Sequence, residues 1–457
     1  MEWISLLMFA VVCVVLLFGY PVAFSLAGTA LVFAYVGEAQ GWLVPGMIHA
    51  IPSRIFGIMN NATLLAVPLF VFMGVTLERA KIAEDMLESM GMLFGKLSGG
   101  LGISVAFVGM LLAASTGIVG ATVVTMGLLS LPAMLRRGYD PSLASGIICA
   151  SGTLGQIIPP SIVLILLGDV LSSAFQKAQS KLGVLSPESV SVGDLFMGAL
   201  IPGVILVFAY MTYVAFVAWR HPEKAPAITQ EKVTSKTVVA ALKSLIAPIV
   251  LILSVLGSIL MGWATSTEAA AVGAVGALLL AVIKKELTIQ RLKEINEITL
   301  KTSSMVFMIL IGASIFSLVF RAYQGDLLIE EVFHNMPGGV IGAMSIVMLV
   351  TFLLGFILDF IEITFVVVPI VAPALLMMGI DPVWLGIMFA INLQTSFLTP
   401  PFGFSLFYLR GVAPAEVTTR AIYKGVVPFI AIQILMLICL SFWPDIATWL
   451  PHQVYTK

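Results

Sequence analysis

Asp359 and Glu362, three residues apart, stand in a stretch of the chain that is otherwise strongly apolar. That spacing puts both carboxylates on one helical face, and a carboxylate in such a setting is costly unless it binds or carries something. Cation ligation or proton carriage is the chemistry open to them, with Asp359 the stronger candidate. The plainer role for Asp359 is to cap the helix that follows it. Glu268, just after Thr265-Ser266-Thr267, reads as a cap of that kind. Two Pro-Pro pairs, Pro159-Pro160 and Pro400-Pro401, interrupt apolar runs that otherwise read as helix. Each pair removes two amide donors and leaves upstream carbonyls without helical partners. Hydrocarbon tolerates that only where the backbone lines a cavity or binds a ligand. Freed carbonyls and nearby hydroxyls are hard oxygen ligands suited to a dehydrated alkali cation. Ser151-Gly152-Thr153-Leu154-Gly155-Gln156 offers them before the first pair, and Gln394-Thr395-Ser396 with Thr399 before the second. A third break falls at Ser115-Thr116-Gly117, with Gly120 and Thr122 just beyond. The expected cation site is therefore drawn from Ser115, Thr116, Gly117, Gly120, Gly152, Thr153, Gly155, Asp359, Thr395, Ser396 and Thr399. For each hydroxyl the competing role is a back-bond to its own helix.

The elements that hold these residues are membrane spans. Of the 457 residues 60% are hydrophobic and 10% charged, against roughly 25% charged in ordinary globular domains, so lipid is the main solvent. A signal peptide would begin with a basic leader, and Met1-Glu2-Trp3 does not. No basic stripe points to nucleic acid, and no Walker A pattern points to ATP. Cys13, Cys149 and Cys439 are single and far apart, as core residues would be. The four histidines fall in connecting segments, which leaves an intramembrane protease or lipid transferase without a buried base.

A helix crosses hydrocarbon in about 20 apolar residues. Spans are expected near 3–18, 20–36, 62–78, 141–171, 194–219, 244–263, 265–283, 302–320, 382–409 and 426–444, the first two being alternatively one helix broken at Gly19-Tyr20-Pro21. Residues 101–135 and 338–378 are too long for one crossing and too broken for an ordinary helix, and each is expected to form a re-entrant hairpin. With this layout 18 of the 23 Lys and Arg fall on one side, and only Arg54, Lys177, Lys181, Arg321 and Lys457 on the other. The positive-inside rule makes the first side cytoplasmic. Hairpin one then opens from the cytoplasm and hairpin two from the periplasm, and full double crossings in their place would keep the same sidedness. Residues 79–96 and 284–301 read as amphipathic surface helices, the second with Lys284, Lys285, Arg291 and Lys293 for anionic lipid. Residues 172–193 read as a periplasmic loop and 220–243 as a cytoplasmic linker.

Landmarks recur at an offset of 241 residues: Pro132 with Pro373, Gly138-Tyr139-Asp140-Pro141 with Gly379-Ile380-Asp381-Pro382, and Pro159-Pro160 with Pro400-Pro401. The two copies start on opposite sides of the membrane. The expected fold is thus an all-α polytopic membrane protein with an inverted-topology repeat, two re-entrant hairpins and two Pro-Pro-broken helices, the architecture of many secondary transporters. Each hairpin tip is expected to present a half-helix N-terminus to an anionic solute.

The ordered set Gly19-Tyr20-Pro21-Val22-Ala23-Phe24, Pro68-Leu69-Phe70, Gly95-Lys96-Leu97-Ser98-Gly99-Gly100, Ser151-Gly152-Thr153-Leu154-Gly155, Ile158-Pro159-Pro160-Ser161 and Leu398-Thr399-Pro400-Pro401-Phe402-Gly403 resembles the large membrane subunit of TRAP (tripartite ATP-independent periplasmic) transporters, over nearly the whole chain. The resemblance implies an elevator-type secondary transporter in the bacterial inner membrane. It would be driven by sodium, import an organic acid, and work with a small membrane subunit and a periplasmic solute-binding protein. Ser115, Thr116, Ser161 and Gly403 are then expected at the solute. The implied division has a scaffold of 1–78, 194–219 and 244–320, two transport elements at 79–171 and 321–412, and a C-terminal span and tail at 413–457. Gln156, where many members carry proline, and the long 172–193 segment depart from the family pattern. A stand-alone proton-coupled anion symporter using Asp359 is the rival reading.

Overall fold

A computed structural model describes residues 3–94, 97–227 and 235–455, with the side chains of Ser115 and a few others outside the description. Among the described residues the only regular structure is helical. α1 (Trp3–Leu17) and α2 (Val22–Ala39) are separate helices, divided by Gly19 in the left-handed region (φ 81°) and by Pro21. α3 (Ile51–Met59) and α4 (Ala66–Arg79), with a 3-10 turn before each, form one apolar path bent by 58°. α5 (Ile82–Phe94) precedes a helical pair, α6 (Gly100–Thr116) and α7 (Val119–Arg136), which pack against each other. α8 (Pro141–Thr153) and α9 (Ile162–Lys181) follow, then the long α10 (Val192–Arg220), α11 (Ser235–Leu260), α12 (Ser266–Ile283) and α13 (Ile289–Ala322).

The second half continues with α14 (Gly325–His334), α15 (Gly339–Leu354), α16 (Phe360–Val366), α17 (Val368–Met377), α18 (Pro382–Leu398), α19 (Phe404–Val412), α20 (Thr419–Phe442) and α21 (Asp445–Tyr455). Seven of these helices are long and apolar enough to cross a membrane, or up to nine if each bent pair is one span.

Several elements depart from the sequence expectation. The 284–301 arm is not a separate surface helix, because α13 runs unbroken for 34 residues from Ile289. At 1.5 Å per residue it is about 50 Å long, some 20 Å more than the hydrocarbon needs. The 172–193 loop is shorter than expected, since α9 extends to Lys181 and α10 starts at Val192. Its polar residues are helical: Lys177 and Lys181 pair with Asp326 (3.0 Å) and Glu330 of α14. The segments 51–59, 325–334 and 445–455 are helices that hydropathy alone did not mark. The second arm of hairpin two is split, α16 and α17 meeting at 55°. Pro369 explains the bend, since its ring displaces the bond to the Phe365 carbonyl.

Helix starts follow their side chains. Asp140 accepts from Ser142 N and Leu143 N at α8, and Asp381 from Trp384 N at α18, each followed by proline at the first helical position. Thr265 and Glu268 form a reciprocal capping box at α12.

Burial orders the bundle. Every residue of α18 except Trp384 is buried, and nearly all of α8, whereas α2 turns Phe24, Val32 and Tyr35 outward. The two helices that lead into the Pro-Pro breaks are therefore the central ones. α8 lies so close to α20 that a Cβ on Gly146 would overlap the Gly425 carbonyl, and one on Gly425 the Ser142 carbonyl.

Gly425→Val is expected to destabilise by about 1–3 kcal/mol through overpacking and to lower the thermal midpoint in detergent. Gly28→Ala, where a Cβ meets nothing within 4 Å, should leave the midpoint unchanged or raise it. At the α9–α14 contact, burial opposes ionisation of Asp326, but Lys177, Lys181 and Arg321 outweigh it and hold the carboxyl below its ordinary range. With the folded value depressed, its stabilising share is complete at neutral pH and is lost as pH falls through and below the usual carboxylate range. Acid melts of the parent and Asp326→Asn should converge as that range is crossed.

Candidate functional site

The centre of the bundle is built from two interrupted helices and two hairpin tips. In the first interruption α8 ends at Thr153, a 3-10 turn covers Leu154–Gln156, and the chain passes the cis Pro159-Pro160 bond to Ser161, where α9 begins. Ser161 Oγ donates to the Gln156 carbonyl at 3.1 Å, tying the break across itself. In the second, α18 ends at Leu398 and Thr399 turns extended before the cis Pro400-Pro401 bond. Thr399 Oγ1 donates to the Thr395 carbonyl at 2.7 Å, Gly403 N to the Thr399 carbonyl at 2.9 Å, and Ser405 Oγ to the Phe397 carbonyl at 2.8 Å. A Cβ at Gly403 would sit 2.6 Å from that same Phe397 oxygen, so glycine is required there.

The first hairpin tip turns at Gly117, left-handed at φ 61°. It rests on the start of α9: a Cβ at Gly117 would lie 3.1 Å from the Ile162 amide nitrogen. The hydroxyls of Thr116 and Thr122 meet at 2.8 Å across the tip, each also within reach of its own helix's carbonyl at Leu112 or Ile118. Gly152 lies against Val123 of α7, and Gly155 against Ala113 of α6. Thr116, Gly117, Gly152, Thr153, Gly155 and Ser161 are thus one neighbourhood.

Thr395, Ser396, Thr399 and Gly403 make a second. Ser396 Oγ donates to the Phe352 carbonyl of α15 at 2.7 Å and packs on Gly355. Asn392 donates to the Met348 carbonyl and to Thr351 Oγ1. The two neighbourhoods meet where Gln394 Nε2 reaches Thr153 Oγ1 at 3.3 Å. Gly120 lies apart from both, beneath the ring of Tyr408.

Asp359 is the N-cap of α16. Its carboxylate accepts from Phe360 N at 2.6 Å, and Glu362 Oε2 accepts from Asp359 N at 2.9 Å. The capping role weighed from the sequence is present. It also changes one expectation: the half-helix N-terminus at hairpin two already faces a carboxylate of its own chain. The starts of α7, α9 and α19 carry no side-chain cap.

The hydroxyls behave consistently. Thr153 Oγ1 donates to the Ala150 carbonyl and Thr395 Oγ1 to the Ile391 carbonyl. A hydroxyl that spends its proton on a helix carbonyl keeps lone pairs for an incoming cation, so back-bonding and ligation are compatible here. Among the described residues fully buried Gln156 has no partner for either amide atom, and Gln394 Oε1 and Thr364 Oγ1 are likewise unpartnered. Buried polar atoms left so are uncommon and need a reason. This donor set, neutral oxygens with orphaned amides, fits an alkali cation or a polar solute. Asn392, Tyr408 and Thr364 were not singled out by the sequence; their one signal is a polar atom in an apolar run.

A family profile described as tripartite ATP-independent periplasmic transporter, DctM component, matches residues 9–446. The C4-dicarboxylate TRAP transporter large permease protein DctM of Rhodobacter capsulatus is 29% identical, over 98% of this chain and 99% of its own. The sialic acid TRAP transporter large permease protein SiaM of Vibrio cholerae is 27% identical over 95% of each. Among solved structures the YdaH transporter of Alcanivorax borkumensis matches with a TM-score of 0.62 at 14% identity, over 88% of both chains, a likeness of fold alone.

Gln156→Leu is expected to hold or raise thermal stability, because it removes an orphaned amide whose burial costs about 1–3 kcal/mol. Asp359→Ala should cost about 1 kcal/mol through the lost cap, and Asp359→Asn should restore most of it. Melting curves of the three variants in one detergent check both.

Proposed function

The chain belongs to the DctM component family of the tripartite ATP-independent periplasmic transporters, and we propose that it imports an organic anion in symport with sodium by an elevator-type movement. Family membership makes it the large, multi-pass permease subunit, a transporter and not an enzyme, working with a small membrane subunit and a periplasmic binding protein. The observation that carries the finer reading is the contact between Thr153 and Gln394. These positions differ by 241 residues, the offset of the sequence repeat, and two equivalent residues that touch lie beside the axis relating their halves. Further pairs support that relation. Gly155 packs on the hairpin arm at Ala113 as Ser396 packs on Gly355, and Asp140 caps α8 as Asp381 caps α18. An inverted repeat around a central site is the usual frame for alternating access.

Sodium is supported by the hydroxyls of Thr116, Thr153, Thr395, Ser396 and Thr399, whose protons are engaged internally and which keep at least one lone pair each, Thr153 spending its other on Gln394 Nε2. Ser161 and Gly403, at the starts of α9 and α19, are the solute candidates. Their uncapped first turns offer amide hydrogens to a carboxylate, and the two relatives are named for C4-dicarboxylate and sialic acid, both carboxylic acids. In this reading α6–α9 and α15–α19 move against a scaffold that includes α1–α4 and α10–α13.

Thermal unfolding of the chain co-purified with its small subunit, in sodium against choline chloride at equal ionic strength, tests the coupling ion without knowledge of the solute. A ligand of the folded state adds about 2.7 kcal/mol at a hundredfold excess over its dissociation constant. A sodium-specific gain that Thr153→Val or Thr395→Val removes is the expected result. Equal stability in both salts, with uptake driven by a pH gradient and lost in Asp359→Asn, would replace sodium by protons.

A further inference from the structure

Away from the central site, a cavity of about 480 Å³ lies between α3, α9, α13 and the α16–α17 bend. Its walls carry Arg54 from α3 and Arg321 from α13, two guanidinium groups lining one recess. Among the described residues neither has a carboxylate within ion-pair distance, although Asp326 of α14 is near enough to Arg321 to feel its charge. Arg54 Nη1 donates to the Ser314 carbonyl at 3.5 Å. The third cation of the cavity, Lys177, is already engaged by Asp326 at 3.0 Å. Among the described lining residues the one carboxylate, Asp169 of α9, accepts from Asn61 Nδ2 at 2.9 Å. Two like charges facing one recess repel each other, and an anion placed between them reverses the sign of that interaction.

We propose that Arg54 and Arg321 form an anion-binding vestibule that holds one carboxylate of the solute outside the central site. The guanidinium fork matches a carboxylate in geometry and charge. Asp169 in the same lining disfavours a second anionic group beside it, so the site takes one end of the molecule. A volume of this size suits a small organic acid. Arg54 and Arg321 also belong to the minority of basic residues that the charge rule assigns to the periplasmic side, where a delivered solute arrives. The same chemistry would accept a lipid phosphate, so the test separates the two sources. The proposal rests on the anion-import reading above.

The test uses Ser317→Cys, in the cavity lining, labelled by a membrane-impermeant thiol reagent in phosphatidylcholine nanodiscs with the small subunit present. Labelling of the parent through its own cysteines is subtracted. Sodium succinate, against sodium chloride at equal sodium, should slow labelling about tenfold at about ten times its dissociation constant. Adding Arg54→Gln or Arg321→Gln should bring the rate back to within about twofold of the unprotected one. No protection by succinate, or protection that survives both arginine substitutions, overturns the vestibule. Protection by phosphatidylglycerol discs without succinate assigns the site to a lipid headgroup and overturns the solute assignment. The sodium-dependent gain in stability, measured on the same variants, reports the central site separately. If it persists while succinate protection is absent, the vestibule alone has failed, and if it too is absent the sodium-symport reading has failed with it.

Discussion

A peptide group inside hydrocarbon must find its hydrogen bond within the protein, and the organisation of this chain follows from meeting that demand at two places where the helix is deliberately cut. Each Pro-Pro pair removes donors that α8 and α18 would have used, and both helices are therefore enclosed on nearly every side. Hydroxyls take over part of the lost bonding. Ser161 binds the Gln156 carbonyl, Thr399 the Thr395 carbonyl, and Ser405 the Phe397 carbonyl. Serine and threonine thus hold the breaks open in a defined shape.

Enclosing a broken helix so tightly requires small residues on the surrounding hairpins and on the helix itself. Gly155 meets Ala113, Gly152 meets Val123, and Gly355 meets Ser396. The two halves arrive at a similar shape with different electrostatics. At the first hairpin the amides of α7 are left without a side-chain cap, while at the second Asp359 closes the start of α16 with a negative charge of its own. Two similarly built breaks therefore sit in different electrostatic settings.

Much of this was legible in the sequence because the cuts are written in residues with strong backbone preferences. Pro159-Pro160, Pro400-Pro401, Gly117 and the Asp-Pro pairs at 140 and 381 mark helix ends from local chemistry alone, and the structure has helix ends at each. Thr265 with Glu268 announced its capping box in the same way. What could not be read depends on contacts distant in sequence. The helicity of 172–181 is fixed by Lys177 and Lys181 reaching α14, some 149 residues on, and hydropathy sees only polar side chains there. The fusion of the 284–301 arm with the next span is invisible because an amphipathic stretch and an apolar one share the same helical geometry without a breaking residue between them. Within the site, Thr153 and Gln394 could each be named, but their contact needs the fold. Tyr408, an ordinary aromatic by sequence, gains its place only because Gly120 leaves room for its ring.

The glycine contact between α8 and α20 carries a mechanical meaning. With Gly146 and Gly425 backbone to backbone, no side chain separates the helices to serve as a sliding surface. Any displacement of α8 must take α20 along, and α20 bears Val427, Leu435 and Ile438 on its outer side. Those side chains are wetted by acyl chains. Under the movement proposed above, the surrounding bilayer becomes a participant, because its viscosity would resist the stroke and its thickness would set how far that greasy strip could travel before it met water.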